Sequence, residues 1–184
     1  VRDSTIARNY ASALFELAIR SEVTELYGEA LQGVAALIEE LPSFRDLLDT
    51  PRIPTPEKKR VLREAFEGRI PLHVLNFLFL LVDKRRHRLI RGISVEYGSL
   101  LDDRLGRARV QVTVARTLDA GEQEEIRLQL NRILEREAIP TFQVNEELLG
   151  GIVFRSGDTI FDGSVRRRLE RMRRQLLTTD LSTD

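Results

Sequence analysis

The sequence predicts a mostly α protein: an N-terminal bundle of six helices over residues 1–105, followed by a small α+β domain over residues 106–184. Three observations carry this reading. Apolar residues recur at helical spacing through the N-terminal part, with Pro and Gly at the joints. After Gly106 the period changes to two, where Ala108, Val110, Val112 and Val114 alternate with charged or polar residues. With 42% hydrophobic and 32% charged residues over 184, each part is able to bury a core.

Each element has its own local signal. Ser4 is placed to cap a first helix carrying Ile6, Ala7, Tyr10, Ala11, Leu14, Leu17 and Ala18 on one face. A second helix runs from about Glu22, with Val23, Tyr27, Leu31, Val34, Ile38 and Leu41 among its apolar positions. Pro42 and Ser43 open a short third, holding Phe44, Leu47 and Leu48. Pro51 to Pro56 is a rigid connector. Thr55 caps a fourth helix with Pro56 at its first position, and Gly68 ends it. Pro71 starts a fifth, and Arg88 to Leu105 forms the sixth. The fifth is apolar on nearly every side (Leu75, Phe77, Leu78, Phe79, Leu80, Leu81, Val82), which places it centrally in its bundle or under a partner.

Arg107 to Arg116 reads as a half-buried strand. Asp119 and Glu122 have capping-box spacing and open a helix with Ile126, Leu130, Ile133 and Leu134. Pro140 stops the region after it, and Phe142 and Val144 suggest a strand. Gly150-Gly151 is a break, Ile152 to Arg155 a strand, and Gly157-Asp158 a hairpin turn before Ile160-Phe161. Ser164 caps a last helix through Leu177, and the polar tail from Thr178 is expected to fray.

Composition excludes several chemistries. There is no Cys, so no disulfide, thiol catalysis or Cys-ligated metal, and only His73 and His87 are available as imidazoles. The 29 Lys+Arg balance 29 Asp+Glu, which disfavours polyanion binding by bulk charge. Only Lys58, Lys59 and Lys84 are Lys, leaving 26 Arg. Nucleotide bias accounts for that ratio, although Arg also makes forked contacts to carboxylates that suit protein partners. No targeting segment is visible, and the longest apolar stretch, Val74 to Val82, is too short to span a bilayer. The expectation is a soluble chain, or one that meets a membrane only through partners.

Neutrality hides a local imbalance. Asp119 to Glu147 holds 8 acidic against 3 basic residues, and Ser164 to Leu177 holds 6 Arg against Glu170 alone. Charge runs ordinarily mark solvated faces; the functional alternative is a bipolar docking surface.

Catalytic motifs fail on inspection. Gly150-Gly151 precedes a strand and lacks the Gly-Lys-Ser/Thr of a phosphate loop. Ser156 lacks a nucleophile elbow. His73 and His87 lie 14 residues apart, not at i, i+4. Asp102-Asp103 and Glu146-Glu147 are sequence neighbours that point differently, not an acid–base pair. No cofactor, metal or small-molecule substrate is expected. The Arg run at 166–168 with Arg171, Arg173 and Arg174 offers an RNA-binding alternative, but that segment has no stacking aromatics.

Two blocks resemble one family. Ile6-Ala-Arg-Asn-Tyr-Ala-Ser-Ala-Leu-Phe-Glu-Leu-Ala18 stands near the start. Val144-Asn-Glu-Glu-Leu-Leu-Gly-Gly-Ile-Val-Phe-Arg-Ser-Gly-Asp158, continuing through Asp162-Gly-Ser-Val-Arg-Arg-Arg-Leu-Glu-Arg171, stands near the end. In order and spacing they resemble the delta subunit of F-type ATP synthases, the family of the mitochondrial oligomycin sensitivity-conferral protein.

That resemblance implies a non-catalytic peripheral-stalk (stator) subunit, on the cytoplasmic face of a bacterial cell membrane and held there by the complex. It implies a groove between the first and fifth helices that receives the amphipathic N-terminal helix of an alpha subunit. Tyr10 and Ala13 fall on the first helix's contact region, and Asn76 and Leu80 on the fifth's. Independently, a small residue such as Ala13 and surplus apolar surface on the fifth helix are what a helix-in-groove site requires; bundle packing explains Tyr10 and Ala13 as well. The C-terminal domain is implied to meet b-type stalk subunits, with Arg166, Arg167 and Arg171 as candidate contacts; nucleic acid is not an expected partner. Two positions depart from the family pattern: Arg85 stands where Gly is common, and Asn9 replaces a frequent Arg or Pro.

Overall fold

A computed structural model of the chain describes residues 2–157 and 159–179, without the side chains of Arg2 and 175–179. The described chain is mostly helical with one four-stranded sheet. It divides into two compact units, Val1–Arg104 and Leu105–Asp184, each with its own apolar core.

The first unit contains α1 (Arg2–Arg20), α2 (Thr24–Glu40), α3 (Pro42–Asp49), α4 (Thr55–Phe66), α5 (Leu72–Asp83), a 3-10 turn (His87–Leu89) and α6 (Ile90–Arg104). Both α1 and α2 pack on α6. A Cβ at Gly28 would stand 3.2 Å from Leu101 and 3.3 Å from Tyr97, so its absence lets α2 seat close to α6. Tyr97 is fully buried, donates its hydroxyl to the Thr24 carbonyl at 2.9 Å, and meets Phe15 edge-on at 5.2 Å. Full burial of side chains such as Leu31, Leu62, Leu78 and Ile93 contributes about 1.5–3 kcal/mol each before conformational entropy is counted.

Several helix ends differ from expectation. α1 runs back to Arg2, so Ser4 lies inside its first turn instead of capping it. Glu22 adopts φ 55° and closes α1: its amide donates to Ile19 and that of Val23 to Ala18, so α2 starts at Thr24 rather than near Glu22. Thr55 is the first residue of α4, and Pro54 takes the cap position without a side-chain bond. The span expected to be helix from Arg88 begins as the 3-10 turn and becomes α-helical at Ile90. Lys58, nearly buried, donates to the Leu48 carbonyl and so satisfies an end group of α3.

The second unit contains β1 (Arg107–Val114), α7 (Ala120–Leu134), β2 (Glu137–Val144), β3 (Ile152–Ser156), β4 (Thr159–Asp162) and α8 (Val165–Thr179). The strand order is β2-β1-β3-β4, with β1 parallel to β2 and antiparallel to β3. Val110, Val112 and Val114 on β1 pack with Leu130 of α7 and Ala138 of β2. The expected capping box is complete: the Asp119 carboxylate accepts from the Glu122 amide at 2.8 Å, and Glu122 accepts from the Asp119 amide.

Three expectations are corrected here. β1 ends at Val114, not at Arg116. Pro140 does not stop the chain; it sits inside β2 opposite Val110, where an edge strand tolerates a missing amide that faces away from the ladder. α8 continues through Thr178 and Thr179. Asp158, the second residue of the expected hairpin turn, and 180–184 of the expected frayed tail lie outside the described residues; Gly157 adopts φ 57°. Gly151 has a structural reason of its own. At φ 86°, its Cβ would stand 2.5 Å from the Gly163 carbonyl oxygen. Around it, Gly163 donates to Ile152 and Val165 to Gly150, joining the start of β3 to the start of α8.

Candidate partner-binding surfaces

The fifth helix is not buried all round. Val74, Leu75, Leu78, Leu81 and Val82 face the core, Phe77 and Phe79 are half-buried, and Leu72, Asn76 and Leu80 are exposed. On α1, Ala7, Ala11, Leu14 and Ala18 are buried while Ala13 and Leu17 are exposed and Tyr10 is half-buried. The outward stripe Tyr10, Ala13, Leu17 follows i, i+3, i+7, and Leu72, Asn76, Leu80 follows i, i+4, i+8.

Tyr10 and Phe77 connect the two helices, with ring centroids 6.0 Å apart and planes at 68°. Beyond the end of α5, the Arg86 guanidinium lies 5.5 Å from the Tyr10 ring centroid and donates to its hydroxyl at 3.3 Å. The half-buried face of Phe79 is turned to α4, under Lys59 and Arg63. Tyr10 therefore meets α5 directly, while Ala13, Asn76 and Leu80 are solvent-facing neighbours of that contact on the two helices. Phe77, Leu17 and Arg86 were not singled out from the sequence. Leu17 and Phe77 sit one helical turn from residues that were, and that spacing is the signal available for them.

In the second unit Ser164 caps α8 as expected: its hydroxyl accepts from the Arg167 amide at 3.2 Å, and its own amide donates to Asp162. Hydrogen bonds from Ser164 hold the Asp162 carboxyl below its ordinary range. Arg166, Arg167 and Arg171 are all exposed. Arg167 reaches Asp162 at 3.5 Å, a carboxylate outside the acidic 119–147 segment. A second feature of α8 was missed. Val165, Leu169 and Met172, at i, i+4, i+7, are exposed at 39%, 56% and 53%, a solvent-facing apolar stripe beside the arginines. Reading α8 for charge alone concealed it.

Among the described residues no group of three His, Cys, Asp or Glu is arranged to hold a metal, and no helix is long and apolar enough to cross a membrane.

Known proteins match this architecture over nearly its full length. A family model described as ATP synthase delta (OSCP) subunit matches residues 6–176. The ATP synthase subunit delta of Desulforamulus reducens is 35% identical over 94% of this chain and 96% of its own. That of Gemmatimonas aurantiaca is 38% identical over 96% and 95%. A chain in the cryo-EM structure of the Toxoplasma gondii mitochondrial ATP synthase hexamer shares the fold, with TM-score 0.70 at 20% identity over 93% of this chain and 97% of that one. A match that spans both units, from the stripe on α1 to the cap and arginines of α8, leaves no room for a chance likeness of one motif: the chain belongs to the ATP synthase delta (OSCP) subunit family.

Proposed function

We propose that this chain is a non-catalytic stator subunit of a proton-translocating F-type ATP synthase, joining the catalytic head to the peripheral stalk against rotor torque. The observation that carries the reading is the family match across residues 6–176. It sets aside the Arg-rich RNA-binding alternative, because the same match includes most of α8.

In this reading the first unit is a six-helix bundle that receives the N-terminal helix of an alpha subunit. The exposed stripes on α1 and α5 beside Tyr10 and Phe77 support that docking. An amphipathic helix would lay its apolar side on Ala13, Leu17 and Leu80, with Asn76 available for a polar contact. The second unit is the small α+β domain that meets the b-type subunits. Its apolar stripe rimmed by Arg166, Arg167 and Arg171 supports a partner helix with an apolar face and acidic flanks. Membrane attachment, at the cytoplasmic face of a bacterial cell membrane, is peripheral and comes through the other subunits. A linker under torque needs slow dissociation at both ends more than any chemical group.

Co-purification with tagged alpha and b subunits tests the proposal. The full chain is expected to retain both. A chain ending at Leu105 is expected to retain alpha and lose b. A full chain that retains neither overturns the linker role, and a shortened chain that still retains b overturns the division of labour.

A further inference from the structure

A cavity of about 460 Å³ opens in the first unit between α2, α3, the 3-10 turn and α6. Its walls are sorted by polarity. The buried floor is apolar, from Ala35, Leu48 and Ile90. The rim is cationic, from the exposed side chains of Arg45, Arg88 and Arg91.

One carboxylate lies in the lining, and it is already engaged. Asp49 Oδ1 stands 2.9 Å from Arg88 Nε and 3.0 Å from His87 Nε2. Arg91 pairs with Glu39 at 2.8 Å, outside the lining. Arg45 has no side-chain partner among the described residues. The lining therefore carries three guanidinium groups against a single saturated carboxylate, over a dry floor.

These features select a ligand class. The charge balance favours an anion over a cation. The apolar floor disfavours a bare, fully hydrated ion such as free phosphate, which would leave Ala35, Leu48 and Ile90 uncovered. A planar guanidinium without a partner matches the two oxygens of a carboxylate. The volume lies within the range of small-molecule sites. We propose that this cavity binds a small amphiphilic carboxylate, an aliphatic acid whose tail covers Ala35, Leu48 and Ile90 and whose head is held by Arg45. Occupancy would tie α2, α3 and α6 together and stabilise the unit. The site is separate from the α1–α5 surface and does not depend on the reading of that surface.

The test uses the full chain, with decanoate and its uncharged counterpart decanol as probes in titration calorimetry and amide-shift mapping. Decanoate is expected to bind with shifts centred on α2, α3 and α6, and decanol several-fold more weakly. Arg45→Gln, a surface change, is expected to weaken decanoate about fivefold, the size of one exposed charged contact, and to leave decanol unchanged. Ala35→Leu, which fills the floor, is expected to remove both ligands, with circular dichroism confirming the fold; if it fails to fold, Arg45→Gln decides alone. Equal affinity for the two probes, an unchanged decanoate affinity in Arg45→Gln, or no binding up to millimolar decanoate overturns the proposal.

Discussion

The edge of one ring in the Tyr10–Phe77 pair meets the other ring at a centroid separation of 6.0 Å, and this contact joins α1 to α5 at the surface of the first unit. Arg86 covers Tyr10 from the segment after α5. One half-buried tyrosine thus anchors two helices while their outward stripes stay open to solvent. The stripes and their anchor have separable roles, so substitutions divide into those that cost binding and those that cost packing.

Ala13→Asp and Leu80→Asp each place a charge on an open stripe. Both sites are exposed, so unfolding free energy is expected to change by no more than about 0.5 kcal/mol. Affinity for a peptide of the alpha N-terminal helix is expected to fall about tenfold or more, because the charge would be desolvated under the docked helix. Calorimetry that finds both affinities unchanged defeats the docking assignment.

Arg85 holds φ 56° at the end of α5. Its amide donates to Val82 and that of Arg86 to Leu81, the paired bonds of a left-handed helix stop. A side chain there is strained where glycine is not, which gives a physical reason for glycine being common at this place in the family. Arg85→Gly keeps both hydrogen bonds and is expected to raise stability by about 0.5–1 kcal/mol by urea denaturation. A loss of stability would show that the Arg85 side chain contributes more than its backbone costs.

Gly151 is the opposite case. An added Cβ would lie 2.5 Å from a backbone oxygen, which has no side-chain freedom with which to retreat. Gly151→Ala is expected to destabilise the second unit by more than about 2 kcal/mol and to part the start of α8 from β3. Hydrogen exchange at the Gly163 and Val165 amides reads this directly; unchanged protection there sinks the idea.

His87 makes the first unit sensitive to mild acid. Burial holds its imidazole below the ordinary 6.5, outweighing the Asp49 carboxylate beside it, while Lys58 and Arg88 push in the same direction as burial. The unfolded chain therefore takes up this proton more readily than the folded one. The stability is complete above about 6.5 and is lost as pH falls through that value toward the lower folded one. Asp49, held low chiefly by its bond from Arg88, follows the same sign in more acidic solution, below its ordinary 3.8. The urea midpoint is expected to be lower at about pH 5.5 than at about pH 7.5, with His87→Gln reducing the difference. Equal pH dependence in the variant would assign the effect to other groups.

Much of the fold was legible because its signals are local. The capping box at Asp119, the proline starts of α3 and α5 and the alternation along β1 are each written within a few residues. The left-handed stops at Glu22 and Arg85 were not legible, since neither residue type favours positive φ; packing of the flanking helices imposes it. Pro140 misled for a related reason. Whether a strand tolerates proline depends on its being at an edge, and strand order is a property of the whole sheet. Of the candidate contacts, Tyr10 is tied by its ring to Phe77 on α5, whereas Arg166, Arg167 and Arg171 are three solvated charges beside an apolar stripe noticed only in three dimensions.

By itself the sequence determined the order and kind of the elements, the change of period at Gly106, the absence of thiol chemistry and the likeness to one family. Periodicity and turn chemistry are short-range, and a linear reading captures them. Tertiary structure alone decided which side of the all-apolar α5 is buried, which ring Tyr10 meets, why Gly151 must be glycine, and where four separate segments leave a cavity with an apolar floor and an arginine rim. Those outcomes depend on which surfaces meet, and the residues that meet are far apart along the chain.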